Sequence, residues 1–265
     1  LVFHYKITIM KKVSFFIVLC ILFTGFVSLR TQAQEAEMPT MFAVFEEFVS
    51  PADMPAFRQA QNMAFEQFDK HGADFTFWSY RTDENAFYWV MPLTSFASLD
   101  GFFQKSMALQ KKMKDDGYDG SKEFRDLSTM RSSILRWSQE LSYHPSGEYG
   151  QTEEKPYCEW AFFYMKAGHE EEASAAAKKY IEFYESIDES YEWDVYQVVF
   201  GHDTPCWIFM TRAKDKISMR KLEKDLNSKY KEDFQKLWQD FAQHIRKVEN
   251  IRGWFLTNWS KNLPE

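Results

Sequence analysis

One order of apolar runs occurs twice in this chain, and that repetition limits what it can fold into more than any other feature. Residues 41–49 form a short apolar run of strand length. Ser50-Pro51-Ala52-Asp53 follows as a helix start, with a capping residue, a proline at the first turn and an acid near the helix N-terminus. Met54, Phe57, Ala60, Ala64 and Phe68 then recur at helical spacing up to His71-Gly72. Aromatic strands at 75–81 and 86–93 flank Thr82-Asp83-Glu84-Asn85, a hairpin turn. Helical stretches at 95–114 and 121–135 and a last strand at 138–144 complete the first pass.

The second pass runs the same way. Residues 158–166 read as a strand, and Glu170, Glu171 and Glu172 sit in the first turn of a helix carrying Ala173, Ala176, Tyr180, Phe183 and Ile187. Strands at 194–200 and 205–212 surround Gly201-His202-Asp203-Thr204; helices at 218–230 and 232–248 and a strand at 254–260 follow. A shift of 118 sets Phe42 on Trp160, Ala43 on Ala161 and Phe45 on Phe163; a shift of 120 sets Asp83 on Asp203 and Trp89 on Phe209. The expected halves are 38–144 and 156–262, joined by a polar linker at 145–155.

Each half reads β-α-β-β-α-(α)-β, an antiparallel sheet with helices on one face. Aromatic residues make up 18% of the chain, and a bare aromatic sheet face of that size does not stay in water. The expected fold is therefore α+β, with tandem ferredoxin-like units packed sheet to sheet into an intramolecular barrel. This pattern resembles the dimeric α+β barrel superfamily, whose antibiotic-biosynthesis-type monooxygenases, NIPSNAP proteins and chlorite dismutase-like haem proteins are the relevant branches. The resemblance spans roughly residues 41–261 and is topological. No family motif matches residue by residue, so it transfers no functional residue to this chain, and fold alone does not assign function.

The N-terminal segment points to export. Met10-Lys11-Lys12 is a basic head before the apolar run 13–27, and Thr31-Gln32-Ala33 offers small residues for signal cleavage, so 1–33 reads as a signal peptide. The apolar run falls short of the roughly 20 residues a membrane span needs. Removing 1–33 takes four basic residues and no acid, moving the formal net charge from −7 to −11. That balance argues against nucleic acid and anionic membrane as partners. The expected product is a periplasmic or secreted protein, monomeric because its dimer is internal.

Catalytic signatures are sparse. His71, His144, His169, His202 and His244 include no pair at metal-ligand helical spacing, and there is no nucleophile elbow. No cofactor is expected; a haem would need one axial histidine, for which His144 and His244 are the candidates. Cys158 and Cys206 start neighbouring antiparallel strands at opposite sheet ends, roughly 25 Å apart along the strands, which predicts two free, mostly buried thiols.

The remaining lead is the barrel interior. Small alanines suit helix packing, so Phe42-Val44-Glu46 and Trp160-Phe162-Tyr164 are assigned inward, and with them Phe87-Trp89-Met91 and Trp207-Phe209-Thr211. This predicts an aromatic chamber between the halves that binds a small, largely apolar molecule, with Glu46, Trp89, Trp160, Tyr164 and Trp207 as ligand-binding residues. The alternatives are an oxygenase or haem-dependent oxidoreductase on the same scaffold, and an interaction module with a filled core and exposed aromatics such as Trp137 and Trp254.

Overall fold

In the computed structural model the described residues are 39–263, without 148, 149, 188 and 190; the expected signal peptide at 1–33 lies outside them. Eight strands close into one antiparallel barrel: β1 (Met41–Val49), β2 (Trp78–Thr82), β3 (Ala86–Leu93), β4 (Ser128–Trp137), β5 (Tyr157–Met165), β6 (Trp193–Phe200), β7 (Cys206–Ala213) and β8 (Ile245–Phe255). Their order around the barrel is β1-β3-β2-β8-β5-β7-β6-β4, with β4 returning to β1. The two halves of the chain thus supply four adjacent strands each, β4-β1-β3-β2 and β8-β5-β7-β6. Closure removes every free edge among these strands.

Helices α1 (Met54–Lys70), α2 (Ser98–Asp115) and the short α3 (Gly120–Glu123) belong to the first half; α4 (Glu170–Ser186), α5 (Lys216–Lys229) and α6 (Lys231–Ala242) belong to the second. They pack outside the barrel. In α4 the buried Ala173, Ala176 and Ala177 let the helix approach the sheet, and its three first-turn glutamates complement the helix dipole.

Both hairpins and the first strand of each half fall where the sequence predicts them. The closing strands do not. Residues 128–135 were expected as helix and form most of β4, while 138–144 hold turns and a single bridge, Tyr143 to Trp193. Likewise β8 begins at Ile245, inside the expected second helix, and ends at Phe255. The reason is polarity. Arg131, Lys247 and Glu249 sit on the inward parity but at a barrel mouth, so neither strand shows a clean apolar alternation.

The interior is set by register, because directly opposed residues share a sheet face. Val44 opposes Val90 and Glu46 opposes Tyr88; Trp160 opposes Met210 and Phe162 opposes Ile208. Phe42, Val44, Glu46, Trp160, Phe162 and Tyr164 point inward as expected. On β3 and β7 the expected parity is wrong. Tyr88 and Val90, and Ile208 and Met210, face the interior, while Phe87, Trp89, Met91, Trp207 and Phe209 pack beneath the helices. Register is the reason: Tyr88 and Val90 oppose the inward Glu46 and Val44, and Ile208 and Met210 oppose the inward Phe162 and Trp160, so the rings between them fall on the sheet's outer face.

The interior is also filled. Its remaining cavity measures about 50 Å³, against the roughly 300–1,000 Å³ of small-molecule sites. An eight-stranded barrel is just wide enough for its own side chains to fill. The expected ligand chamber between the halves is therefore a packed core. Trp137, expected as an exposed aromatic, is buried and donates its ring N–H to Asp194 at 2.8 Å, whereas Trp254 is 39% exposed.

Candidate functional site

A much larger cavity lies on the other side of the sheet. Between the outer face of β5, β6 and β7 and helices α4, α5 and α6 is a pocket of about 660 Å³. Ala161, Phe163, Phe209 and Trp193 form its floor, all on the parity that faces away from the barrel axis. Tyr180 and Tyr184 descend from α4 one turn apart, and Phe234, Trp238 and Phe241 come from α6. Ala161 and Ala177 explain the space: each places a methyl group where neighbouring positions carry rings.

The walls are held by aromatic contacts. Phe163 meets Phe209 edge-on at 5.2 Å and Phe241 at 5.3 Å, and Tyr184 stacks on Tyr191 at 5.4 Å with an interplanar angle of 16°. Offset and edge-to-face arrangements of this kind are the favoured geometries of aromatic pairs. Trp238, 44% exposed, stands at the rim.

Polar groups are few. Glu159 accepts two hydrogen bonds from Arg252, at 2.8 and 3.0 Å, and Glu223 accepts one from Arg220 at 2.9 Å. Both carboxylates thus enter the pocket wall paired with an arginine, and Thr211, Asn227, Gln235 and the Lys231 ammonium complete the polar lining. Burial pushes the Tyr191 phenol up to about 12, with Glu223 adding to the rise and Thr211 opposing it. Burial also raises Tyr180 and Tyr184, with nearby Asp240 and Tyr191 contributing in turn. All three phenols are neutral donors at physiological pH.

None of the five residues expected to bind ligand lines this pocket. Glu46 and Trp160 border the 50 Å³ core cavity. Tyr164 also points inward and donates to Glu249 at 2.6 Å. Trp89, on the outer face of the first half, donates to Glu47 at 2.7 Å, and Trp207 packs 6.5 Å from Phe241. Thr211, assigned to the interior from the sequence, lines the outer pocket instead. In the sequence Tyr180 is one position of a helical stripe; the signal that it borders space is the presence of alanines on the same helix and on the pocket floor.

Charges concentrate at the two mouths of the barrel. At one, the buried Glu46 accepts from His202 at 2.8 Å and from Arg131. Burial alone would raise the Glu46 carboxyl, but those hydrogen bonds and charges outweigh it and hold the group below the ordinary range. At the other, buried Asp194 pairs with Arg212, His144 and Trp137 and lies far below the carboxylate range for the same reason.

A haem does not fit these residues. The pocket is lined by no histidine or cysteine among the described residues. His144 is engaged by Asp194 at 3.0 Å and His244 by His169 at 3.1 Å, and neither lines the pocket. Among the described residues no group of three or more His, Cys, Asp or Glu is placed to hold a metal ion. Cys158 and Cys206 are free and buried, as the strand geometry predicts, and burial pushes both thiols to about 12.

No known protein-family profile matches this chain, and no curated protein sequence does. Solved structures share its fold. An anthrone oxidase-like protein is 11% identical with a TM-score of 0.56, the alignment covering 82% of this chain and 92% of the other. A candidate monooxygenase from Fusobacterium nucleatum subsp. nucleatum covers the same shares at 11% identity and a TM-score of 0.50. Chlorite dismutase from Candidatus Nitrospira defluvii aligns at 10% identity and a TM-score of 0.46. For the first two the likeness is one of fold, which in this chain is a mixed α+β architecture around a closed eight-stranded antiparallel barrel.

Proposed function

We propose that this protein binds a flat, largely apolar molecule in the pocket between the second-half sheet and its helices. The observation that carries the reading is the combination of size and lining: about 660 Å³, walled mostly by aromatic rings, with a few polar groups among them. That volume lies within the range of small-molecule sites, and apolar walls with a few placed polar groups are their usual composition. Flat rings slide between Phe163, Phe209 and Tyr184, while hydroxyl or carbonyl substituents reach Thr211, Asn227 or Tyr191. The test is native mass spectrometry of the protein purified from its producing cells, followed by fluorescence titration with 2-naphthol. A retained small molecule, or saturable quenching by naphthol, supports the reading. Bare polypeptide mass with no saturable quenching contradicts it.

A second reading is favoured by the fold likeness to an anthrone oxidase-like protein and a candidate monooxygenase: the bound molecule is oxidised by dioxygen. For anthrone the balanced reaction consumes one O₂, places one oxygen on the ring carbon and releases the other as water with the two displaced hydrogens. Dioxygen uptake stoichiometric with quinone formation would establish it, and turnover no faster than the buffer rate would leave binding alone.

The same proposal includes the finer architecture and setting. Residues 38–144 and 156–262 are read as two copies of a ferredoxin-like unit joined by 145–155, supported by their matching strand orders, within the dimeric α+β barrel superfamily. Export through the segment at 1–33 and a monomeric state follow from the sequence reading. Among the described residues no helix is long and apolar enough to cross a membrane.

A further inference from the structure

The small cavity inside the barrel is built for a guest of a different kind. Glu46, Tyr88, Ser133, Phe162 and His202 are among the residues around its 50 Å³. Tyr88 and Ser133 are 5% and 2% exposed, and neither hydroxyl meets a partner among the described residues. The strand register brings both to one place. Tyr88 lies directly opposite Glu46 on one side of β1, and Ser133 lies opposite Val44 on the other. The β6–β7 turn closes the space from the second half. Gly201 adopts φ +107°, and a Cβ there would lie 2.3 Å from the Ser132 carbonyl oxygen and 2.6 Å from the Ser133 Cβ, so only glycine lets the turn sit this close. His202, the next residue, donates into the cavity wall at Glu46.

Buried hydroxyls are nearly always hydrogen-bonded, and leaving two unpaired around one cavity carries a penalty that a guest removes. An apolar gas makes no hydrogen bond and would leave both hydroxyls unpaired. An anion would meet Glu46, whose charge is already balanced by Arg131. The volume suits one or two waters, and a buried water needs two to four polar partners. We infer that this cavity is a binding site for a water-sized, neutral hydroxylic molecule, water itself in the cell, held by Tyr88, Ser133 and the Glu46 carboxylate. The guest links β1, β3 and β4 and lies beneath the turn contributed by the other half, so it forms part of the polar seal that closes this end of the barrel. The inference is independent of the outer pocket.

The test is a stability cycle on the full chain with Tyr88→Phe, Ser133→Ala and both together. If a guest bridges the hydroxyls, each single change raises the unfolding constant about five-fold, and the double variant falls short of the product because losing either group already releases the guest. A Tyr88→Phe variant as stable as the parent, or more stable, overturns the inference, since removing an unpaired hydroxyl costs nothing. Crystals pressurised with xenon provide a second readout that does not depend on variants folding. Solvent density bonded to both hydroxyls supports the site, and xenon in the cavity overturns it because dry apolar cavities are the ones that take it up.

Discussion

The two faces of the second-half sheet carry nearly the same chemistry and have opposite fates. Inward, Trp160, Phe162 and Tyr164 join residues from all eight strands and leave about 50 Å³. Outward, Ala161, Phe163 and Phe209 share a layer with three helices and leave about 660 Å³. Aromatic content does not separate a core from a pocket here; the enclosing geometry does. A closed eight-stranded barrel has a fixed width that side chains fill. A helix layer leaves space where small side chains line the gap, as Ala161 and Ala177 do. The first half makes the same point from the other side: its helix layer is packed by Phe65, Phe75, Phe77, Trp89 and Phe102, with Trp259 from the C-terminal segment stacked on Phe65 and Trp89.

The largest expected effects fall inside the barrel. Asp194→Ala leaves the Arg212 charge buried without its partner and should cost about 3–5 kcal/mol in denaturant unfolding. Trp160→Ala should cost a similar ~3–5 kcal/mol by opening a core cavity, while naphthol affinity stays unchanged. At the pocket rim the pattern reverses: Trp238→Ala should change stability by less than about 1 kcal/mol yet weaken naphthol binding several-fold. Equal loss of binding in the Trp160 and Trp238 variants would erase the distinction between the two faces.

Adjacent carboxylates on β1 sharpen the comparison at smaller scale. Glu46 faces the barrel and is held below the ordinary range against burial by His202 and Arg131. Glu47 faces the helices, where burial raises it despite hydrogen bonds from Trp89 and Ser128. The lowered groups, Glu46 and Asp194, contribute stability above their ordinary values of 4.5 and 3.8 and lose it as pH falls through their depressed ones. The raised Glu47 works in the other sense, favouring the fold below 4.5 and losing that contribution as pH rises through its elevated value. Glu46→Gln should therefore destabilise at pH 7 by roughly 2–3 kcal/mol and flatten the acid limb. Glu47→Gln should be neutral or stabilising at pH 7, and stability curves between pH 3 and 8 separate the two. Smallest of all, Cys158 and Cys206 should react with a thiol reagent only on unfolding; prompt modification of the native chain would contradict their burial.

The parts of this fold that could be read from sequence are those where one face is wholly apolar. The first strand of each half was assigned the correct inward parity because Ala43 and Ala161 mark the helix side. The free thiols followed from antiparallel geometry: Cys158 opposes Arg212 and Cys206 opposes Tyr164, six residues away and about 20 Å along the strand. What escaped was polar or contextual. The charged mouth residues of β4 and β8 disguised two strands, and register alone could decide which face of Trp89 and Trp207 meets the core. The pocket was illegible because it is defined by what α4, α5 and α6 leave empty, and a single Ala177 among Tyr180 and Tyr184 reads like ordinary helix packing.

The proposed binding belongs to the outer pocket of the second half and not to the barrel. Calorimetric titration of 2-naphthol into Ala161→Trp measures it most directly, because that indole would fill the pocket floor from a position that never faces the barrel axis. Affinity reduced at least ten-fold, with the thermal midpoint close to the parent's, is the result this account predicts. Undiminished affinity in a folded Ala161→Trp protein would contradict it.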